Sequence, residues 1–176
     1  RGNYSTNAID CGIFLDAIHD IEKLIKIPPY LERGSHEIFS NYAYNKLKNR
    51  SLIHNQYLWL LTGFSRSIAR FGLKEKDNYE KFVIQIIYSF YSHNSDDGFC
   101  MYSNLSEDLN HITTYYHSRC LAFVSFCLEN ISYSDDFLED KFYKGALFLA
   151  KMFKRDGIKS LSLESKRYYF HNKYEI

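Results

Sequence analysis

The sequence predicts an all-α chain built of antiparallel helical hairpins, and three observations predict it. Apolar residues recur at helical spacing in six successive segments. Residues that start or stop helices stand between those segments. Only 2 Pro and 8 Gly occur in 176 residues, too few for a sandwich or barrel with many tight turns.

The first helix is expected over residues 7–26, with Ile9, Ile13, Ala17, Ile21 and Leu24 on one stripe and Phe14, Ile18 and Ile25 beside it. Pro28-Pro29 stops it, because neither residue can donate the next backbone hydrogen bond. Gly34-Ser35 is expected to open a second helix carrying Ile38, Tyr42 and Leu47 to about Arg50. A third holds Leu52, Trp59, Leu60, Phe64, Ile68 and Phe71, with Gly72 as its C-terminal stop. Asp77 to Glu80 has the spacing of a capping box, and the helix after it buries Phe82, Val83, Ile86, Ile87 and Phe90. A polar loop, His93 to Leu105, leads to Ser106, placed to cap a long helix ending near Ile131. Ser134 is placed to cap the sixth helix, which carries Phe137, Phe142, Leu149 and Phe153 before Asp156-Gly157 breaks it. From Ile158 to Ile176 no helical period remains, and Leu161 and Leu163 alternate as in an extended segment. Short connections make neighbouring helices antiparallel.

Composition narrows the function. Lys plus Arg (22) almost balances Asp plus Glu (21), and a net charge of +1 argues against a general nucleic-acid binder. A 45% hydrophobic and 24% charged chain can bury a core. Cys11, Cys100, Cys120 and Cys127 lack zinc spacing, and Cys120 and Cys127 are expected as buried free thiols on one helix face. No stretch approaches the ~20 apolar residues of a membrane span. Neither a cofactor nor a metal is called for. The expected organisation is a single helical domain over residues 1–176. It is read as part of a longer polypeptide because the chain ends soon after the aromatic cluster Tyr168-Tyr169-Phe170.

Candidate chemistry concentrates in three places: His54 to Trp59, His93 to Arg119, and Lys166 to His171. Asp96-Asp97-Gly98 reads most simply as a turn. It is no calcium loop, since His93 and Asn104 would stand where carboxylates belong. Tyr115 and Tyr116 diverge by about 100° on a helix, so they cannot share one face. His111, Tyr115 and Arg119 form one stripe, either catalytic or simply solvated. Ile112, Tyr116, Cys120, Phe123 and Cys127 form the more apolar one, expected to be buried. Asp135-Asp136-Phe137-Leu138-Glu139 matches the DDxxD/E pattern of terpene synthases, but acids at a helix start are favoured by the helix dipole alone.

Taken in order, a helix opening on His54-Asn55-Gln56-Tyr57-Leu58-Trp59, a turn at Asp97-Gly98-Phe99 and a helix bearing Tyr115-Tyr116-His117-Ser118 resemble the α/α-toroid domains of heparinase- and alginate-lyase-like proteins. The resemblance covers roughly residues 50 to 170, although those lyases tend to show Asn followed by His where this chain has His54-Asn55. It implies that the helices belong to an (α/α) toroid or barrel. It also implies a carbohydrate-active domain that cleaves or binds an acidic, uronate-containing polysaccharide or oligosaccharide.

The implied chemistry is β-elimination. Asn55, with Arg119 or Arg167, would neutralise the sugar carboxylate and stabilise charge developing at C5. Tyr115 or Tyr116, and His54, His111 or His117, would supply base and acid. Tyr57, Trp59, Asp97 and Tyr168 would join the arginines in binding substrate. The alternative is a non-catalytic helical module that binds a glycan or a protein through an aromatic rim.

Overall fold

Six helices carry the described part of the chain: α1 (Tyr4–Ile21), α2 (Pro29–Lys48), α3 (His54–Phe71), α4 (Lys76–Tyr91), α5 (Thr114–Ile131) and α6 (Asp136–Lys151). The computed structural model describes residues 4–49, 54–71, 76–92 and 114–151, and no strand occurs among them. The expected Gly72 stop, the 93–105 loop, the Ser106 cap, the Asp156-Gly157 break and the tail lie outside the described residues.

Helix ends follow local chemistry, with three departures from expectation. The second helix starts at Pro29, not at Gly34-Ser35. Proline at the first helical position sacrifices no hydrogen bond, because that N–H has no intrahelical partner anyway. Pro29 therefore opens α2, and Gly34 lies inside that helix. The prolines do not terminate α1, which ends at Ile21, short of the expected residue 26 and seven residues before Pro28. The sixth helix is capped by Asp135, whose Oδ1 accepts from the Leu138 amide at 2.8 Å, rather than by Ser134. Ser134 instead donates from its hydroxyl to Glu139 Oε1 at 2.5 Å.

Between them, α5 ends in a Schellman turn. The Tyr133 amide donates to the Leu128 carbonyl at 3.1 Å and the Ser132 amide to the Glu129 carbonyl at 3.2 Å. Ser132 takes the left-handed conformation, φ 51°, where glycine usually stands.

Contacts along the helices sort them into two rows. Gly12 lies against Trp59 and Leu60, Leu15 against Gly63, and Asp16 and Asp20 against Arg66, so α1 and α3 run in the same direction. Trp59 meets Arg119 and Phe123, Thr62 meets Phe123 and Cys127, and Ser65 meets Asn130, so α3 and α5 also run in the same direction. The even helices form the second row. Tyr44 of α2 touches Tyr79 and Phe82 of α4, and Tyr88 of α4 stacks on Phe137 of α6 at 5.1 Å. The α5–α6 pair, joined by four residues, is the expected antiparallel hairpin: His117 meets Gly145 and Phe148 near the far end of α6.

Central α3 is buried on nearly every side, with Leu58, Leu60, Leu61, Phe64, Ser65, Ser67 and Ile68 all enclosed. Phe64 joins Tyr44, Tyr79 and Phe82 in an aromatic cluster where α2, α3 and α4 meet, with centroids 4.8–6.4 Å apart. Part of the 18% aromatic content is used here.

The first helix is rotated from its expected setting. Cys11, Gly12 and Leu15 face the core, while Ile13, Ile21 and Leu24 are exposed. The cause is Gly12. Its missing side chain lets α1 come so close to α3 that a Cβ there would lie 2.9 Å from the Trp59 carbonyl oxygen. Backbone proximity, not the apolar stripe, fixes which face turns inward.

Candidate functional site

The parallel run of α3 and α5 brings the first turns of both helices to one end of the odd row. His54 and Asn55 open α3, and Tyr115 and Tyr116 belong to the first turn of α5. These four positions have a described helical backbone, and their side chains lie outside the described residues. His111, Asp97, Arg167 and Tyr168 lie outside them altogether.

Just below those first turns, three expected binding residues take defined positions. The Trp59 ring stacks on Phe123 at 5.2 Å with an interplanar angle of 26°. The Arg119 guanidinium lies 5.7 Å from the Trp59 ring centroid, a cation–π arrangement across the α3–α5 seam. Tyr57 is half-buried and packs against the core, which holds its ring in place. Arg119 and Trp59, 60 positions apart in the chain, are thus brought together, and Phe123 joins them. Sequence patterning assigned Phe123 to the buried stripe, so its part in this seam is legible only from the pairing of α3 with α5.

His117 takes a different place. It is fully buried between α5 and α6, with Nε2 2.8 Å from the Gly145 carbonyl oxygen and Phe148 against its ring edge. The bond to a carbonyl requires a proton on Nε2, which fixes the neutral tautomer. Burial pulls its pKa below the ordinary imidazole value, and the Gly145 hydrogen bond opposes that shift. The chemistry is that of a satisfied interior histidine.

Further along the same seam, small polar groups replace aromatics. Thr62 donates to the Leu58 carbonyl at 3.0 Å and sits 3.6 Å from Cys127 Sγ. Asn130 donates to Ser65 Oγ at 2.9 Å. Burial pushes the Cys11 and Cys127 thiols up to about 12, so both stay protonated. Cys11, Cys120 and Cys127 are buried free thiols, as expected for the latter two.

The Asp135 segment is occupied by structural work. Its carboxylate caps α6 through Oδ1, and Oδ2 accepts from both the Tyr88 and the Tyr133 hydroxyls. The Tyr88 hydrogen bond above all holds the carboxyl below its usual range. Both oxygens are engaged, which matches the helix-start reading of the Asp135–Glu139 motif. No cluster of potential metal ligands occurs among the described residues. No described helix is long and apolar enough to cross a membrane. The chain matches no family model, no curated protein and no solved structure.

Proposed function

We propose that the chain is a carbohydrate-active helical domain that engages an acidic, uronate-containing polysaccharide at the end of the α3–α5 pair. One observation carries the reading: the parallel helices α3 and α5 pair Arg119 with Trp59 across their seam, on the part of both helices that also carries His54, Asn55, Tyr115 and Tyr116. An aromatic ring with a guanidinium beside it supplies the apolar face and the charge that an acidic sugar needs. The two-row arrangement, with odd helices parallel and even helices alongside, supports the further proposal that this is part of an (α/α) toroid.

The lyase-like chemistry is part of the same proposal. Asn55 and Arg119 neutralise the sugar carboxylate, Tyr115 or Tyr116 takes the C5 proton, and His54 or His111 protonates the leaving oxygen. The proposal leaves His117 out of that exchange, because its ring is enclosed and bonded to Gly145. The same enclosure favours the second reading, a non-catalytic module binding a glycan or a protein partner.

Calorimetric titration with oligouronates and with neutral oligosaccharides of equal length separates binding from its absence. Binding to the acidic series alone is expected, and equal or absent binding would remove the reading. Release of unsaturated sugar ends, lost in Tyr115→Phe or Tyr116→Phe, separates the lyase from the binding module.

A further inference from the structure

The sixth helix is lightly held, and a buried histidine lies beneath it. Only Leu138 and Gly145 of its 16 residues are buried, whereas α5 buries His117, Cys120, Leu121, Val124 and Cys127. An open groove of about 610 Å³ runs along the α5–α6 seam, edged by Leu121 and Phe126 on one side and by Phe142 and Leu149 on the other. The start of α6 is anchored. Asp135 accepts from the Tyr88 and Tyr133 hydroxyls and from the Leu138 amide, and the Tyr88 ring stacks on Phe137. Farther along, His117 Nε2 donates to the Gly145 carbonyl, with Phe148 against the ring edge.

We propose that α6 is a pH-gated arm: protonation of His117 releases residues 141–151 from α5, while the Asp135 anchor keeps the start of α6 docked on α4. A neutral imidazole can be enclosed, but an imidazolium needs water or a carboxylate beside it. Burial is the largest influence on this ring, and no carboxylate contributes to its state. The charged side chains nearest in the chain are engaged elsewhere. Arg119 of α5 lies over Trp59, Lys144 of α6 pairs with Asp140, and Lys141 lies over Phe137. Cys120, the titratable group about one turn along α5, is a buried thiol. Hydrating the charge therefore requires one wall of the site to move. The α5 wall is fixed to α3 by the Trp59–Phe123 stack and by Asn130 on Ser65. The α6 wall gives up Gly145 and the half-buried Phe142 and Leu149, so it moves first. Tyr88 holds the Asp135 carboxyl below its usual range, so the anchor stays ionised where imidazole titrates. A helical segment this short is marginal without its partner, so release appears as lost amide protection.

Hydrogen–deuterium exchange of the full chain about one pH unit either side of 6.5, the ordinary imidazole value, tests this, with rates corrected for the intrinsic pH dependence of exchange. Protection of residues 141–151 is expected to be about tenfold lower on the acid side, because the open form binds one proton that the closed form excludes. Protection of α3 and the emission of Trp59, the one tryptophan, are expected to stay the same, since the α3–α5 seam does not open. His117→Gln keeps a donor for Gly145 and takes up no proton, so its protection is expected to be equal at both pH values. The comparison is made within each protein, so a variant that docks α6 less firmly still answers it. In wild type, the His117 ring protons followed by NMR are expected to titrate together with the loss of protection. Equal protection of residues 141–151 at both pH values would overturn the proposal. So would an acid loss shared equally by α3, a loss without titration of His117, or a tenfold difference retained in His117→Gln.

Discussion

Gly63 sits against Gly12 so tightly that a Cβ on Gly63 would lie 2.6 Å from the Gly12 carbonyl oxygen and 2.9 Å from Leu15 Cβ. The two helices meet backbone to backbone, and neither glycine can accept a side chain without moving them apart. Gly63→Ala is expected to cost about 1–3 kcal/mol, the range for overpacking a tight interior, less the gain from alanine's helix propensity. Gly34 is the control: nothing lies within 4 Å of a Cβ there. Gly34→Ala in the same helical context is expected to stabilise by about 0.5–1 kcal/mol. Urea midpoints at unchanged slope measure both.

Ser132 holds φ 51° at the end of α5, a conformation that costs a non-glycine residue about 1–2 kcal/mol. Ser132→Gly keeps both Schellman hydrogen bonds and removes that strain. The extra freedom of glycine in the unfolded chain offsets part of the gain, so a net stabilisation of about 0.5–1 kcal/mol is expected. A lower urea midpoint for the glycine variant would contradict the assigned turn.

Asp135 is held below its usual carboxyl range chiefly by the Tyr88 hydroxyl. A depressed folded pKa gives stability that is present above the unfolded pKa and lost as pH falls through the folded one. Tyr88→Phe removes the largest cause, so the Asp135 carboxyl titrates closer to its ordinary value and acid unfolding begins at higher pH. Carboxyl-carbon NMR titration of wild type and variant measures the shift directly.

His117 has the opposite charge logic with the same pH direction. Its folded pKa is lowered by burial, so the unfolded chain binds more protons and stability falls as pH drops below the ordinary imidazole value of 6.5. His117→Gln keeps a donor for the Gly145 carbonyl and cannot become charged. Its stability is expected to be flatter than that of wild type across that window, as read from urea midpoints at several pH values.

Six helices, the buried faces of α3 and α4, and the buried thiols were legible because period and burial agree there. Val83, Ile86, Ile87 and Phe90 are enclosed as their spacing predicts. Pro28-Pro29 was misread as a helix stop because proline is compatible with either end of a helix; α1 ends earlier, at Ile21, and Pro29 begins α2. The α1 face was misread because Gly12 adds nothing to a hydrophobic pattern yet decides how close two helices come. At the candidate site, Trp59 and Arg119 could be picked out singly by residue type. Their pairing, and the part of Phe123, depend on two distant helices lying parallel, which no local pattern encodes. His117 was indistinguishable in sequence from a catalytic histidine, since its partner is a backbone carbonyl 28 positions away.

The central claim is that an acidic glycan binds where the first turns of α3 and α5 meet. Backbone amide NMR during titration with an oligouronate tests it most directly, with Arg119→Gln as the paired sample. The account predicts shifts concentrated at residues 54–59 and 114–119 in wild type, and at least tenfold weaker binding in the variant, equal to about 1.4 kcal/mol. Shifts spread over the α5–α6 groove instead, or undiminished binding by Arg119→Gln, would contradict it.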